Sequence, residues 1–215
     1  MTLDELLAHP ALVRLARALQ QFPGKEVRAE PPMRWAAIAL VLRHGELQEP
    51  ELLMIKRAEA ANDPWSGHIA FPGGRVEPGD HDLAQSAMRE TWEETGIDLA
   101  RVGRFLGTLD DISPRTPVLP PIAIRPFVAA VPSDVEIVQS PEVAEAFWVP
   151  LSALREQASW RMGSVSVRGL KRDVNTFTHG EHTVWGLTER VLRQFLTYLG
   201  LPPLGESRDE LADRH

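Results

Sequence analysis

The chain has no cysteine, which excludes disulfide bridges and thiolate metal sites together. It also lacks an excess of positive charge. A formal net charge of −7 argues against a broad nucleic-acid footprint, because binding a phosphate backbone needs basic surface. A single nucleotide is not excluded, since it needs only a local basic pocket. No apolar run approaches the roughly 18 residues of a membrane span. Met1-Thr2-Leu3-Asp4-Glu5 carries no basic n-region, so a cytoplasmic protein away from membranes is the expectation. Internal repeats and low-complexity segments are absent as well. What remains is ordinary: 215 residues, 43% hydrophobic and 25% charged, suit one soluble domain with terminal additions.

One stretch stands out from this background. Gly73-Gly74-Arg75-Val76-Glu77-Pro78-Gly79-Asp80 reads as a Gly-rich loop and a turn, and Arg89-Glu90-Thr91-Trp92-Glu93-Glu94-Thr95 as a helix that Gly96 stops. At about 100° per residue, Glu90, Glu93 and Glu94 share roughly a 100° arc of that helix. Each like-charge pair at this spacing costs ~0.2–0.5 kcal/mol. The trio also crowds the last turns, where the helix dipole prefers cations. Arg89, four residues before Glu93, offsets part of the charge. Carboxylates collected this way call for an external cation, and oxygen-only ligands select a hard one such as Mg2+. The competing reading is a solvated acidic helix face.

Around this stretch the chain divides into 1–32, 33–200 and 201–215. Residues 3–22 place apolar side chains at helical spacing, giving one or two amphipathic helices broken near Pro10. Their apolar face needs cover, either the core or a second copy in a homodimer. Glu30-Pro31-Pro32 is a link. Residues 34–43 form a near-continuous apolar run, the mark of a strand buried on both faces, and 51–57 its hairpin partner. Residues 58–69, with Asn62-Asp63-Pro64, make a defined loop into the Gly-rich segment. Strands are expected over 102–109, 122–131 and 144–150, with a Pro-rich loop at 110–121 lying over the site. A helical turn at 151–157, a weak hairpin at 164–178, an amphipathic helix at 183–199 and a charged tail complete the chain. Mixed strands with helices before, within and after them indicate an α/β/α sandwich around a mixed sheet.

The central stretch resembles the Nudix box: a Gly, five residues, an acidic residue, a spacer, then Arg-Glu-x-x-Glu-Glu-x-Gly and an apolar residue. Gly74 leads, Asp80 takes the acidic place and Ile97 closes the pattern. Eight residues separate Asp80 from Arg89 where the commonest box has seven, as in the coenzyme A pyrophosphatase branch. That branch also resembles this chain at Trp65-Ser66-Gly67-His68-Ile69-Ala70-Phe71-Pro72-Gly73-Gly74 and at Thr183-Val184-Trp185-Gly186-Leu187-Thr188-Glu189-Arg190. Its Leu-Leu-x-x-Arg-Ser segment is matched, one residue displaced, by Leu52-Leu53-Met54-Ile55-Lys56-Arg57-Ala58. No arginine follows between Arg57 and Gly67, where one would suit the 3′-phosphate of coenzyme A.

The resemblance implies a Nudix fold over 33–200 and hydrolysis of a small nucleotide substrate with Mg2+ or Mn2+. The product pair from coenzyme A would be adenosine 3′,5′-bisphosphate and 4′-phosphopantetheine. ADP-ribose, a nucleoside diphosphate sugar or a dinucleotide is the alternative substrate, and a non-catalytic ligand-sensing module is the third reading. By the family pattern Glu90, Glu93, Glu94 and the carbonyl of Gly73 hold the metal. Arg89 would orient the trio and pair with Asp80, unless Asp80 serves only as a turn or N-cap residue; Asp82 is the other N-cap candidate. Gly74 leaves the backbone free to reach phosphate. The general base is a box glutamate or one of Asp110, Asp111, Glu142 and Glu145, with Glu142 and Glu145 ranked first against a reading as exposed strand-edge carboxylates. Lys56, Arg57 and His68 are the basic groups left for the substrate. Trp65 either stacks on a base or packs. Trp185 and Arg190 are expected to dock the last helix.

Overall fold

The computed structural model describes residues 2–28, 30–61, 65–114, 121–167 and 170–201. The expected tail beyond Leu201, Asn62-Asp63-Pro64 and residues 115–120 of the expected loop lie outside them.

Two short helices open the chain, α1 (Leu3–Ala8) and α2 (Pro10–Gln21). Thr2 and Glu5 close a capping box on the first. At α2, Pro10 takes the first helical position, where a missing N–H costs nothing, and His9 Nδ1 accepts the Ala11 N–H. The break near Pro10 is therefore a cap rather than a kink.

The main sheet is built from β1 (Arg34–His44), β2 (Pro50–Arg57), β3 (Ile69–Ala70), β4 (Gly73–Arg75), β5 (Arg104–Thr108), β6 (Ile122–Ala130) and β7 (Val143–Pro150). Its strand order is β3-β2-β1-β6-β5, with β4 also pairing β1 and β7 pairing β2. β1 runs parallel to β6 from Arg34 opposite Ile122 to Leu42 opposite Ala130, while β2, β4 and β5 pair antiparallel, so the sheet is mixed. Alternation along β1 explains its apolar run. Ala37, Ala39 and Val41 face α3 (Leu83–Thr95), and Leu40 and Leu42 face α2 and α5 (Leu187–Tyr198). The apolar stripe of α2 lies in this second core through Ala11, Leu15 and Leu19, so cover by a second subunit is not what its pattern requires.

Three differences from expectation have local causes. A short helix α4 (Leu99–Val102), capped by Asp98, precedes β5 and delays that strand to Arg104. The weak hairpin is longer than expected, β8 (Trp160–Val167) with β9 (Leu170–His179), and gains a third strand, β10 (His182–Trp185). β10 takes the first residues assigned to the closing helix: Gly180 at φ 58° turns the chain, and Val184 and Trp185 pair with Phe177 and Thr176. Gly186 at φ 68° then launches α5. Two 3-10 turns, Ala153–Arg155 and Gln157–Ser159, stand where a helical turn was expected. Among the described residues no helix is long and apolar enough to cross a membrane.

Candidate active site

The site is built on α3. Asp82 caps its start, accepting the Gln85 N–H at 2.7 Å, and Gly96 at φ 72° ends it. Ala87, Thr91 and Thr95 turn inward, and Glu94 follows them, leaving only 5% of its side chain exposed against 48% for Glu93. The three carboxylates thus sit on a gradient from core to solvent.

Arg89 ties them to the loop. Its Nε and Nη2 donate to the two oxygens of Asp80, each at 3.0 Å, and Nη2 also reaches the Arg75 carbonyl. Its Nη1 donates to Glu90 and Glu93 at 3.0 Å. Asp80 accepts further hydrogen bonds from the Glu77 N–H and the Ser86 hydroxyl. Fixed by Arg89 above all, the Asp80 carboxyl is held well below the usual carboxylate range. Asp80 is thus both turn residue and Arg89 partner.

β4 supplies the opposite wall, lying beside Ala36, Ala37 and Ile38 of β1. Gly73 occupies φ 150°, and a Cβ there would stand 2.3 Å from the Ala37 carbonyl oxygen. At Gly74 a Cβ would stand 2.4 Å from the Glu90 carboxyl. Both glycines therefore let backbone approach carboxylate where a side chain would intrude. The Gly73 N–H donates to Glu94 at 2.9 Å. Burial nevertheless pushes the Glu94 carboxyl up to about 7, with Glu90 and Glu142 adding to the rise and Gly73 and Arg57 opposing it. Glu90 is raised too, chiefly by burial.

Among the described residues no three carboxylates or imidazoles converge as a ready-made ion cage. Arg89 stands between Glu90 and Glu93, and Glu94 turns to Gly73. The donor chemistry still fits a hard divalent ion: oxygen ligands only, a bare backbone opposite, and a carboxyl whose ionisation burial opposes and a cation would favour. Binding would require Arg89 Nη1 to yield.

Comparison with known proteins decides the family at this point, because the sequence pattern of the NUDIX domain matches residues 33–167. The chain belongs to the Nudix family. It is 31% identical over 176 residues to the uncharacterized Nudix hydrolase NudL of Photorhabdus laumondii subsp. laumondii, covering 81% of this chain and 89% of that one. Against NudL of Enterobacter sp. (strain 638) it is 29% identical, over 94% of this chain and 97% of the relative. A MutT/nudix family protein from Enterococcus faecalis shares the fold with a TM-score of 0.50 and 16% identity, over 92% of this chain and 78% of its own. The protein is a Nudix pyrophosphohydrolase.

The remaining candidates separate around the Nudix helix. Glu142 lies beside it: Ser140, whose hydroxyl accepts the Glu142 N–H, donates its own N–H to the Glu94 carbonyl, and the Glu142 carboxylate acts on the charge of Glu94. Glu145 does not join the trio. Strand alternation puts it with Phe147 and Val149, and it pairs with His182 of β10 at 3.3 Å. Asp110 and Asp111 are held elsewhere, the first by the Lys25 N–H and the second by a two-pronged bond from Arg125 at 2.8 Å and by the Val27 N–H. Arg57 comes within 3.7 Å of Glu94 on the trio side. Lys56 stands opposite Glu145 in the sheet register, and the His68 ring packs 4.5 Å from Trp185. Of the basic groups expected at the substrate, Arg57 is thus placed against the carboxylate trio. Nothing in its spacing signalled that contact, which joins the last residue of β2 to the penultimate residue of α3.

Proposed function

We propose that this Nudix hydrolase cleaves the pyrophosphate of coenzyme A or its derivatives, with Mg2+ or Mn2+ held by Glu90, Glu93 and Glu94 and by the Gly73 carbonyl. The observation that carries the reading is the carboxylate trio clamped by Arg89 and Asp80 against the bare backbone of Gly73 and Gly74. A bound divalent ion would neutralise phosphoryl charge and lower the pKa of the attacking water. Arg89 orients Glu90 and Glu93, and Gly74 lets the Glu90 carboxyl lie against the loop backbone. Glu142, exposed beside Glu94, takes the proton as water attacks phosphorus and the bridging P–O bond breaks. From coenzyme A this yields adenosine 3′,5′-bisphosphate and 4′-phosphopantetheine. The longer spacer between Asp80 and Arg89 supports coenzyme A over other nucleotides.

One observation favours ADP-ribose, a nucleoside diphosphate sugar or a dinucleotide instead. Arg57, the lone arginine of its segment, lies against Glu94 rather than in a separate phosphate site. Incubation with Mg2+ and equal concentrations of coenzyme A, ADP-ribose, a nucleoside diphosphate sugar and NADH, with products identified by mass, decides between them. Fastest cleavage of coenzyme A to the two named products supports the first reading. Faster cleavage of ADP-ribose or a sugar nucleotide replaces it with the second.

A further inference from the structure

A cavity of about 630 Å³ lies at the start of β1, away from the trio. Its walls include Val27 and Arg28 of the N-terminal link, Met33, Ile112, and Arg190 and Gln194 of α5. Four of these six stand outside residues 33–167, the stretch that carries the family match. The volume falls within the range of pockets that hold small ligands.

The link wall is fastened in place. Lys25 and Val27 donate backbone N–H groups to the Asp110 and Asp111 carboxylates at 2.8 Å, and the Asp111 N–H returns one to the Lys25 carbonyl. Gly24 lies so close to Leu109 that a Cβ there would stand 2.1 Å from its carbonyl oxygen. Arg125 meets Asp111 with two hydrogen bonds and Glu26 at 3.0 Å, which ties down the carboxylate on this wall. Arg190, in contrast, is exposed and has no ion pair among the described residues. Arg28, with its side chain 93% exposed, makes a long 3.9 Å contact to Glu30. Gln194 contributes to the wall, with its Oε1 turned out of solvent contact. Apolar walls from Val27, Met33 and Ile112 and the guanidinium groups of Arg190 and Arg28 together suit a nucleoside carrying an anionic group.

The cavity is also within reach of the site. Met33 precedes Ala36 by three residues, about 10 Å of extended chain, and Ala36 faces Arg75, whose carbonyl Arg89 holds. A nucleoside joined to a diphosphate spans that distance.

We propose that this cavity receives the nucleoside end of the substrate, and that Arg190, with Arg28 at the rim, meets a phosphate monoester carried there. This rests on the coenzyme A reading, and it supplies from α5 and the link the phosphate contact that the segment after Arg57 lacks. Guanidinium is the suited group, since it meets a phosphate through two parallel hydrogen bonds.

Calorimetric binding of adenosine 3′,5′-bisphosphate and of AMP to the full chain with Mg2+ tests it, because neither ligand contains a pyrophosphate to hydrolyse. The wild type should bind the bisphosphate about tenfold or more tightly than AMP. Arg190→Ala should abolish that preference at unchanged melting temperature, Arg190→Glu should reverse it, and Arg28→Ala should weaken it in part. A wild type with no preference, or an Arg190→Ala variant that keeps it, overturns the assignment. Failure to cleave coenzyme A would overturn the substrate reading alone, and the binding ratio would still decide this one.

Discussion

Glu94 carries the largest electrostatic conflict in the molecule's active site. Its carboxyl is buried, hydrogen-bonded by the Gly73 N–H, and pushed from an ordinary 4.5 up to about 7. A raised folded-state value means that the native state holds a proton the unfolded chain releases. The resulting stability is complete below about pH 4.5 and is lost as pH rises through about 7. In chelator, thermal unfolding should show the protein weakening by on the order of 1–3 kcal/mol between about pH 5 and about pH 8. Glu94→Gln should flatten that slope. A divalent ion should reverse it, because only the ionised carboxylate coordinates. An unchanged slope in Glu94→Gln would locate the titration elsewhere. The trio itself was legible from residue spacing; its gradient of burial was not. Spacing fixes where Glu90, Glu93 and Glu94 stand around the helix, whereas only the packing of α3 on β1 and β4 buries one and exposes another.

At the scale of elements, α3 and its preceding loop behave as one unit held by Arg89. The Asp80 side chain is 3% exposed, so removing its partner leaves a buried carboxylate with weaker compensation. Arg89→Ala should destabilise the protein by about 3–5 kcal/mol in urea unfolding. Asp80→Asn should cost less, because it removes the buried charge as well. Equal stability in Arg89→Ala and the wild type would show the clamp to be a surface pair of little consequence. Most of this element was readable beforehand, because Asp82, Gly96 and the Arg89–Asp80 pairing follow from local capping rules and from the box. The separation of Glu142 from Glu145 was not readable. It depends on where β7 begins, since Val143 opens the strand and leaves Glu142 in the turn before it, and the chain enters β7 with an irregular register opposite Lys56 and Arg57. β10 was hidden for a related reason: Val184 and Trp185 satisfy helical periodicity with α5 until Gly186 separates them.

For the molecule as a whole, the N-terminal helices are part of the core rather than an appendage. Leu12 and Leu15 are fully buried, and Leu15 and Leu19 lie among Leu40, Leu42 and Phe195. Leu15→Ala should cost about 2–5 kcal/mol, while Val13→Ala, 42% exposed, should stay within about 0.5 kcal/mol. If Leu15→Ala instead halved the mass measured by light scattering and left stability alone, the stripe would belong to a subunit interface. The amphipathic pattern gave the helices but not their cover, since periodicity carries no information about what an apolar face meets. The mixed sheet was foreseeable from the buried run at 34–43, whereas its parallel pairing with β6 rests on contacts between segments some 90 residues apart.

The claim on which the account turns is that the carboxylates of α3 hold the divalent ion. Mn2+ titration followed by electron paramagnetic resonance, on the wild type, Glu93→Gln and Glu94→Gln, tests it without reference to any substrate. The account predicts a bound ion in the wild type, affinity about tenfold or more lower in each variant, and turnover lower by about two orders of magnitude. Equal Mn2+ affinity in all three, or a variant with wild-type turnover, would contradict it.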